Sequence, residues 1–167
     1  VYGALGLATG GGVATLVLLA FGADVRWIVG ASACALLLGA ILKQGYWSAI
    51  ASAKTIATAE AATGLGHLGT VRPLDPPHTQ PNFVMREMGY QVARRHAERL
   101  RGIVAVLLFL TPLVASVLLL IELPAIVDLT IATVSTLSMA IGVLVERWLF
   151  FAEAEHVVVV YYRGGSA

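Results

Sequence analysis

Residues 1–23, 27–42 and 102–121 carry no charged side chain. That absence limits the fold more than any other feature of the chain. A lipid bilayer core about 30 Å thick takes about 20 apolar residues as helix, and only helices and closed barrels satisfy their backbone groups in lipid. Residues 2–21 supply 20 such positions and residues 25–42 supply 18, with only Arg26 near the start. Residues 102–121 supply 20 and residues 125–145 supply 21, with Asp128 near the entry. Charged residues make up 13% of the chain, about half the share usual in globular domains, and mean hydropathy is +0.84. The expected fold is an all-α polytopic transmembrane helix bundle with four spans in two hairpins. The turns are "GAD" at 22–24 and "ELP" at 122–124, and turns this short make consecutive spans antiparallel. The start at Val1, with no basic n-region and no A-x-A site, reads as an internal start and not as a signal peptide.

The expected organisation is a first hairpin over 1–42, a basic loop over 43–101, a second hairpin over 102–151 and a tail over 152–167. The loop holds eight of the eleven basic residues: Lys43, Lys54, Arg72, Arg86, Arg94, Arg95, Arg99 and Arg101. Arg147 and Arg163 fall on the same side and only Arg26 on the other, which predicts a cytoplasmic loop and cytoplasmic ends. Four prolines in "LGTVRPLDPPHTQPN" bar a long helix over 68–82. From Asn82 onward, "FVMREMGYQVARRHAERLR" gathers Met85, Met88, Val92 and Leu100 near one face, with Arg86, Arg94, Glu98 and Arg101 largely away from it. That pattern predicts an amphipathic interfacial helix whose arginines (Arg86, Arg94, Arg95, Arg99 and Arg101) meet anionic lipid or a protein partner. A net charge of +1 excludes a nucleic-acid footprint.

Helices in lipid associate through small and polar side chains, because lipid tails give them no hydrophobic reason to do so. Gly6-x-x-x-Gly10 in the first span, followed by Gly11 and Gly12, and Ala31, Ala35 and Gly39 in the second predict close contact along those faces. Cys34, the one cysteine, reads as a packing residue. Thr130, Thr133, Ser135, Thr136 and Ser138 make the fourth span rich in hydroxyls. Such hydroxyls bond either back to their own helix carbonyls or across to a neighbour. Pro112 predicts a kink in the third span, tolerable where a neighbouring helix satisfies the freed carbonyl.

Membrane heme needs axial histidines inside spans, and His67, His78, His96 and His156 all lie outside them. No cofactor bound covalently or through a metal is expected, and no phosphate loop or hydrolytic motif is present. "GLGHLG" at 64–69 lacks the preceding strand of a dinucleotide loop. At the end of the fourth span, Glu146 and Arg147 precede Trp148, Phe150 and Phe151, with Tyr161 and Tyr162 beyond. The aromatic residues suit a membrane–water interface. The adjacent acid and base read either as a snorkelling anchor or as a polar site for an amphipathic ligand such as a quinol. Oxidising a quinol needs a proton acceptor, a role open to Glu146, whereas Arg147 only donates.

The stretches "ATGLGHLGTVRPLDPPHTQPNFVMREMGYQVARRHAERLR" and "GVLVERWLFFAEAEHVVVVYY", with "LKQGYW" at 42–47, resemble the C-terminal half of the dimethyl sulfoxide reductase anchor subunit family. The resemblance implies a non-catalytic subunit of a multi-pass complex in the bacterial inner membrane. It implies two partners, an iron–sulfur electron-transfer subunit and a molybdopterin-containing catalytic subunit, with menaquinol as electron source in anaerobic respiration. The family's quinol-associated His-Leu-Gly motif belongs to the N-terminal half, so His67-Leu68-Gly69 takes no such role. The alternatives are a transporter or channel component, for which Pro112 is the one candidate helix break, and a structural anchor without a quinol site.

Overall fold

The computed structural model describes residues 1–52, 58–71, 95–121 and 123–153. Among the described residues, four helices are long and apolar enough to cross a membrane. They are α1 (Tyr2–Ala20) and α2 (Arg26–Ser52), then, after a short helix α3 (Ala59–Thr63), α4 (Ala97–Leu118) and α5 (Ala125–Glu153). At 1.5 Å per residue, the 19 residues of α1 extend about 28 Å, close to the thickness of a bilayer core. Large apolar side chains face outward on every span, among them Leu7, Ile41, Val117 and Leu144. In water that would be an aggregation surface; in lipid it is the ordinary exterior. The chain is a multi-pass membrane protein.

The first turn is built from its sequence. Gly22 takes a positive φ of 69°, which costs glycine nothing because it has no Cβ. The Ala23 amide then donates to Leu18 O at 2.9 Å and the Gly22 amide to Leu19 O at 3.0 Å, the paired closure of a Schellman motif. Asp24 follows, its carboxylate accepting the Arg26 amide at 3.1 Å as α2 begins.

The contact between α1 and α2 agrees with the one expected at Gly11, Ala35 and Gly39 and differs from it at Gly6, Gly10 and Ala31. A side chain on Gly6 or Gly10 would meet nothing, whereas a Cβ on Gly11 would collide with Ser32, and one on Gly39 would press against Leu5. Ala31 is exposed. The glycine stripe at 6 and 10 and the alanine at 31 therefore lie off the seam, and the working positions are Leu5, Ala8 and Thr15 against Ser32, Leu36 and Gly39. Consecutive helix positions are 100° apart, so Gly10 and Gly11 belong to different faces. Cys34 is also exposed; it lies two positions from buried Ser32 and Leu36 on either side and faces away from the core, contrary to the packing role expected of it.

Pro112 reshapes α4 as a widened turn. Residues Ala105–Leu110 form a π-helical segment, in which the Thr111 amide bonds five residues back to Val106 O. The next amide in that pattern would come from residue 112 and reach Leu107 O, but proline has no N–H. Ser138 of α5 supplies the missing donor: its hydroxyl reaches Leu107 O at 2.8 Å. Gly142, one turn further along, lets the backbone at Leu108 approach α5. Ser138→Ala is expected to cost about 1 kcal/mol, read as a shifted unfolding midpoint in mixed micelles.

The remaining hydroxyls of α5 divide. Thr130, Thr133 and Thr136 bond back to Ile126, Leu129 and Ala132 carbonyls at 2.7–2.8 Å, while Thr136 also reaches across to Gly12 O at 3.4 Å. Both readings of that hydroxyl-rich span are realised, at different positions.

In the loop, Thr58 caps α3 by accepting the Ala61 amide at 3.1 Å. Glu60 accepts the Val71 amide at 3.2 Å, and backbone hydrogen bonds from its own and from the Val71 amide hold its carboxyl below the usual range. The amphipathic helix expected from Asn82 lies mostly outside the described residues, as do Arg86, Arg94 and the tail from residue 154.

Candidate functional site

Lys43 belongs to a span and not to the basic loop expected from the sequence: α2 runs past Leu42 to Ser52, because nothing in "KQGYWSAIAS" ends a helix. The buried positions of α2 are Val29, Ser32, Leu36, Gly39 and Lys43. Those intervals of three and four residues define one helical face, and Lys43 is its next member. On α5 the buried positions include Ala132, Ser135, Met139, Gly142, Glu146 and Leu149, again at intervals of three and four. Both charges therefore occupy core positions of their helices. A lysine at the end of an apolar run reads as the start of a loop, although this register continues the inward face.

The two meet. The Lys43 ammonium donates to Glu146 Oε1, with the two side chains 3% and 1% exposed. Glu146 offers its second oxygen, Oε2, to Arg147 at 3.7 Å from Nε. Arg147 is 42% exposed at its side chain and lies with Cζ 3.7 Å from the centre of the Tyr2 ring, where a cation is attracted by the π face. The ammonium of Lys43 lies 4.6 Å from the Tyr46 ring centre and 5.5 Å from that of Trp47. Arg101 of α4 approaches the same Trp47 ring at 5.7 Å. All four spans thus contribute: Tyr2 from α1, Lys43 and its aromatic neighbours from α2, Arg101 from α4, and the acid and base from α5.

The level of this cluster follows from α1. Tyr2 is its first residue, so the ion pair lies near one end of the apolar layer, on the side of the 43–101 loop. Glu146 is buried within the bundle, while Arg147 reaches outward.

Removing two charges from water is expensive, and well-packed apolar residues often replace a buried ion pair with no loss of stability. The pair is therefore weak as a stabilising device and stronger as a chemical one. Glu146 keeps one oxygen on the Lys43 ammonium and turns the other toward a half-exposed guanidinium, a set of charged groups that the polar end of a ligand can join.

Of the arginines expected to meet lipid or a partner, Arg95 and Arg99 are exposed and Arg101 is half-buried. His67 is exposed on a single turn, its Nδ1 3.1 Å from Gly64 O. Among the described residues no three or more His, Cys, Asp or Glu side chains gather as a metal site. No protein-family model, curated protein or solved structure matches this chain.

Proposed function

We propose that this chain is the membrane anchor subunit of a molybdopterin oxidoreductase of the dimethyl sulfoxide reductase type. In this reading it oxidises menaquinol at the Glu146 site and passes the electrons to an iron–sulfur partner subunit. The observation that carries the proposal is the buried Lys43–Glu146 pair, which gives the bundle a carboxylate at membrane depth near an interface. A quinol has an apolar tail and a polar ring, and it must lose two protons along with its two electrons. A carboxylate within the bundle can receive a proton, and Arg147, Tyr46 and Trp47 supply donors and flat faces for the ring. The resemblance of residues 62–101 and 142–162 to the anchor family supports the same reading. The chain belongs, on this account, in a bacterial inner membrane with the loop and both ends on the cytoplasmic side.

The test uses the assembled complex in its membrane. Glu146→Gln is expected to lower oxidation of a reduced menaquinol analogue at least tenfold while the partner subunits remain attached. Unchanged turnover and affinity would remove Glu146 from the site.

The same pair gives the transporter reading its one foothold, since ionisable groups inside a bundle also mark ion paths. Proteoliposomes separate the two. Proton flux through the isolated chain that disappears in Glu146→Gln would favour transport, and no flux favours the anchor.

A further inference from the structure

A second polar feature lies away from the ion pair. Thr15 of α1, Ser32 of α2, Ser116 of α4 and Ser135 and Thr136 of α5 line one cavity, with Met139 on its wall. About 20 Å³ of it is open to the centre of a water molecule, and on the order of 10–15 Å³ suffices to hold one. Four of the five hydroxyls already donate to carbonyls of their own helices: Thr15 to Gly11 O at 2.8 Å, Ser32 to Ile28 O at 2.7 Å, Ser116 to Pro112 O at 2.8 Å and Thr136 to Ala132 O at 2.8 Å. A hydroxyl that has given its hydrogen still has lone pairs to offer. Ser135 is different. It is 8% exposed, borders the cavity and has no hydrogen-bond partner among the described residues.

The occupant that completes this set must be small, must donate to hydroxyl oxygens and must accept from Ser135. We propose that the cavity is a binding site for one water molecule, held by Ser135 and by the spare lone pairs of the hydroxyls around it. A lipid tail or an apolar gas leaves Ser135 unsatisfied, and an organic amine is too large for the space. The water links helices that lipid alone gives little reason to associate, and it accounts for a serine at a core position between Ala132 and Met139. This inference is independent of the quinol reading.

Magnetisation transfer from water to the isotope-labelled protein in lipid bilayers, followed by solid-state NMR, tests the site. Build-up at Ser135 and Ser32 is expected to be at least threefold faster than at Val104 and Leu108, which are buried and do not line the cavity. In Ser135→Val the added methyl groups displace the water, and the advantage at Ser32 is expected to vanish. Two results would overturn the proposal. One is build-up at Ser135 and Ser32 in the unsubstituted protein no faster than at Val104 and Leu108, as expected if Ser135 bonds back to its own helix. The other is an unchanged Ser32 signal in a folded Ser135→Val protein.

Discussion

Replacing Lys43 with methionine is expected to destabilise the bundle by about 3–5 kcal/mol, because it takes the buried partner from the Glu146 carboxylate and leaves it only the half-exposed Arg147 at 3.7 Å. Glu146→Leu alone is expected to cost a similar amount by stranding the ammonium. The informative variant is the double substitution, Lys43→Met with Glu146→Leu. It removes both charges and fills the space with side chains of comparable size, so its loss should be smaller than that of either single variant. A double-mutant cycle in mixed micelles, read from the unfolding midpoint by circular dichroism, gives the coupling directly. Additive losses would mean that the two residues do not interact across α2 and α5. The cycle also separates structure from chemistry. A double variant that folds and assembles but no longer oxidises quinol has lost only what the charges do.

The second large effect is expected at Gly142. A Cβ there would lie 2.9 Å from both the Cβ and the amide nitrogen of Leu108 and 3.0 Å from its Cα. Backbone atoms cannot rotate out of the way, so α4 and α5 must separate or the π segment must rewind. Gly142→Val is expected to cost about 1–3 kcal/mol and to weaken the Ser138 hydrogen bond to Leu107 with it. Gly6→Ala and Gly10→Ala serve as controls, because nothing lies within 4 Å of either position. Each should leave the unfolding midpoint unchanged or raise it through better helix propensity. If the controls destabilise as much as Gly142→Val, the seam of this bundle has been misplaced.

These two sites show which parts of the molecule were readable from the chain. The spans were legible because apolar runs of 18–21 residues with at most one charge each admit few other folds. The disturbance around Pro112 was legible too, since a missing N–H has to be accommodated locally, and Ser138 is the neighbouring donor that does so. The helix seam was harder. Gly6 and Gly10 have the spacing of a contact motif, but spacing does not say which way the stripe faces, and Gly11 next to them took the role. Lys43 was hidden for a related reason. A lysine after an apolar run looks like the end of a span, and only the register from Val29 through Gly39 shows that it continues the inward face. Glu146 was picked out by its chemistry, but its partner on another helix is a fact of packing. The arginines at 86 and 94 lie outside the described residues.

The account rests on the buried acid and base forming a ligand site, so the most direct measurement is affinity. Titration of a fluorescent quinol-site inhibitor against the chain in its native membrane should show at least tenfold weaker binding in Glu146→Gln than in the unsubstituted protein, with helix content and assembly unchanged. Equal affinity in the two proteins would contradict it.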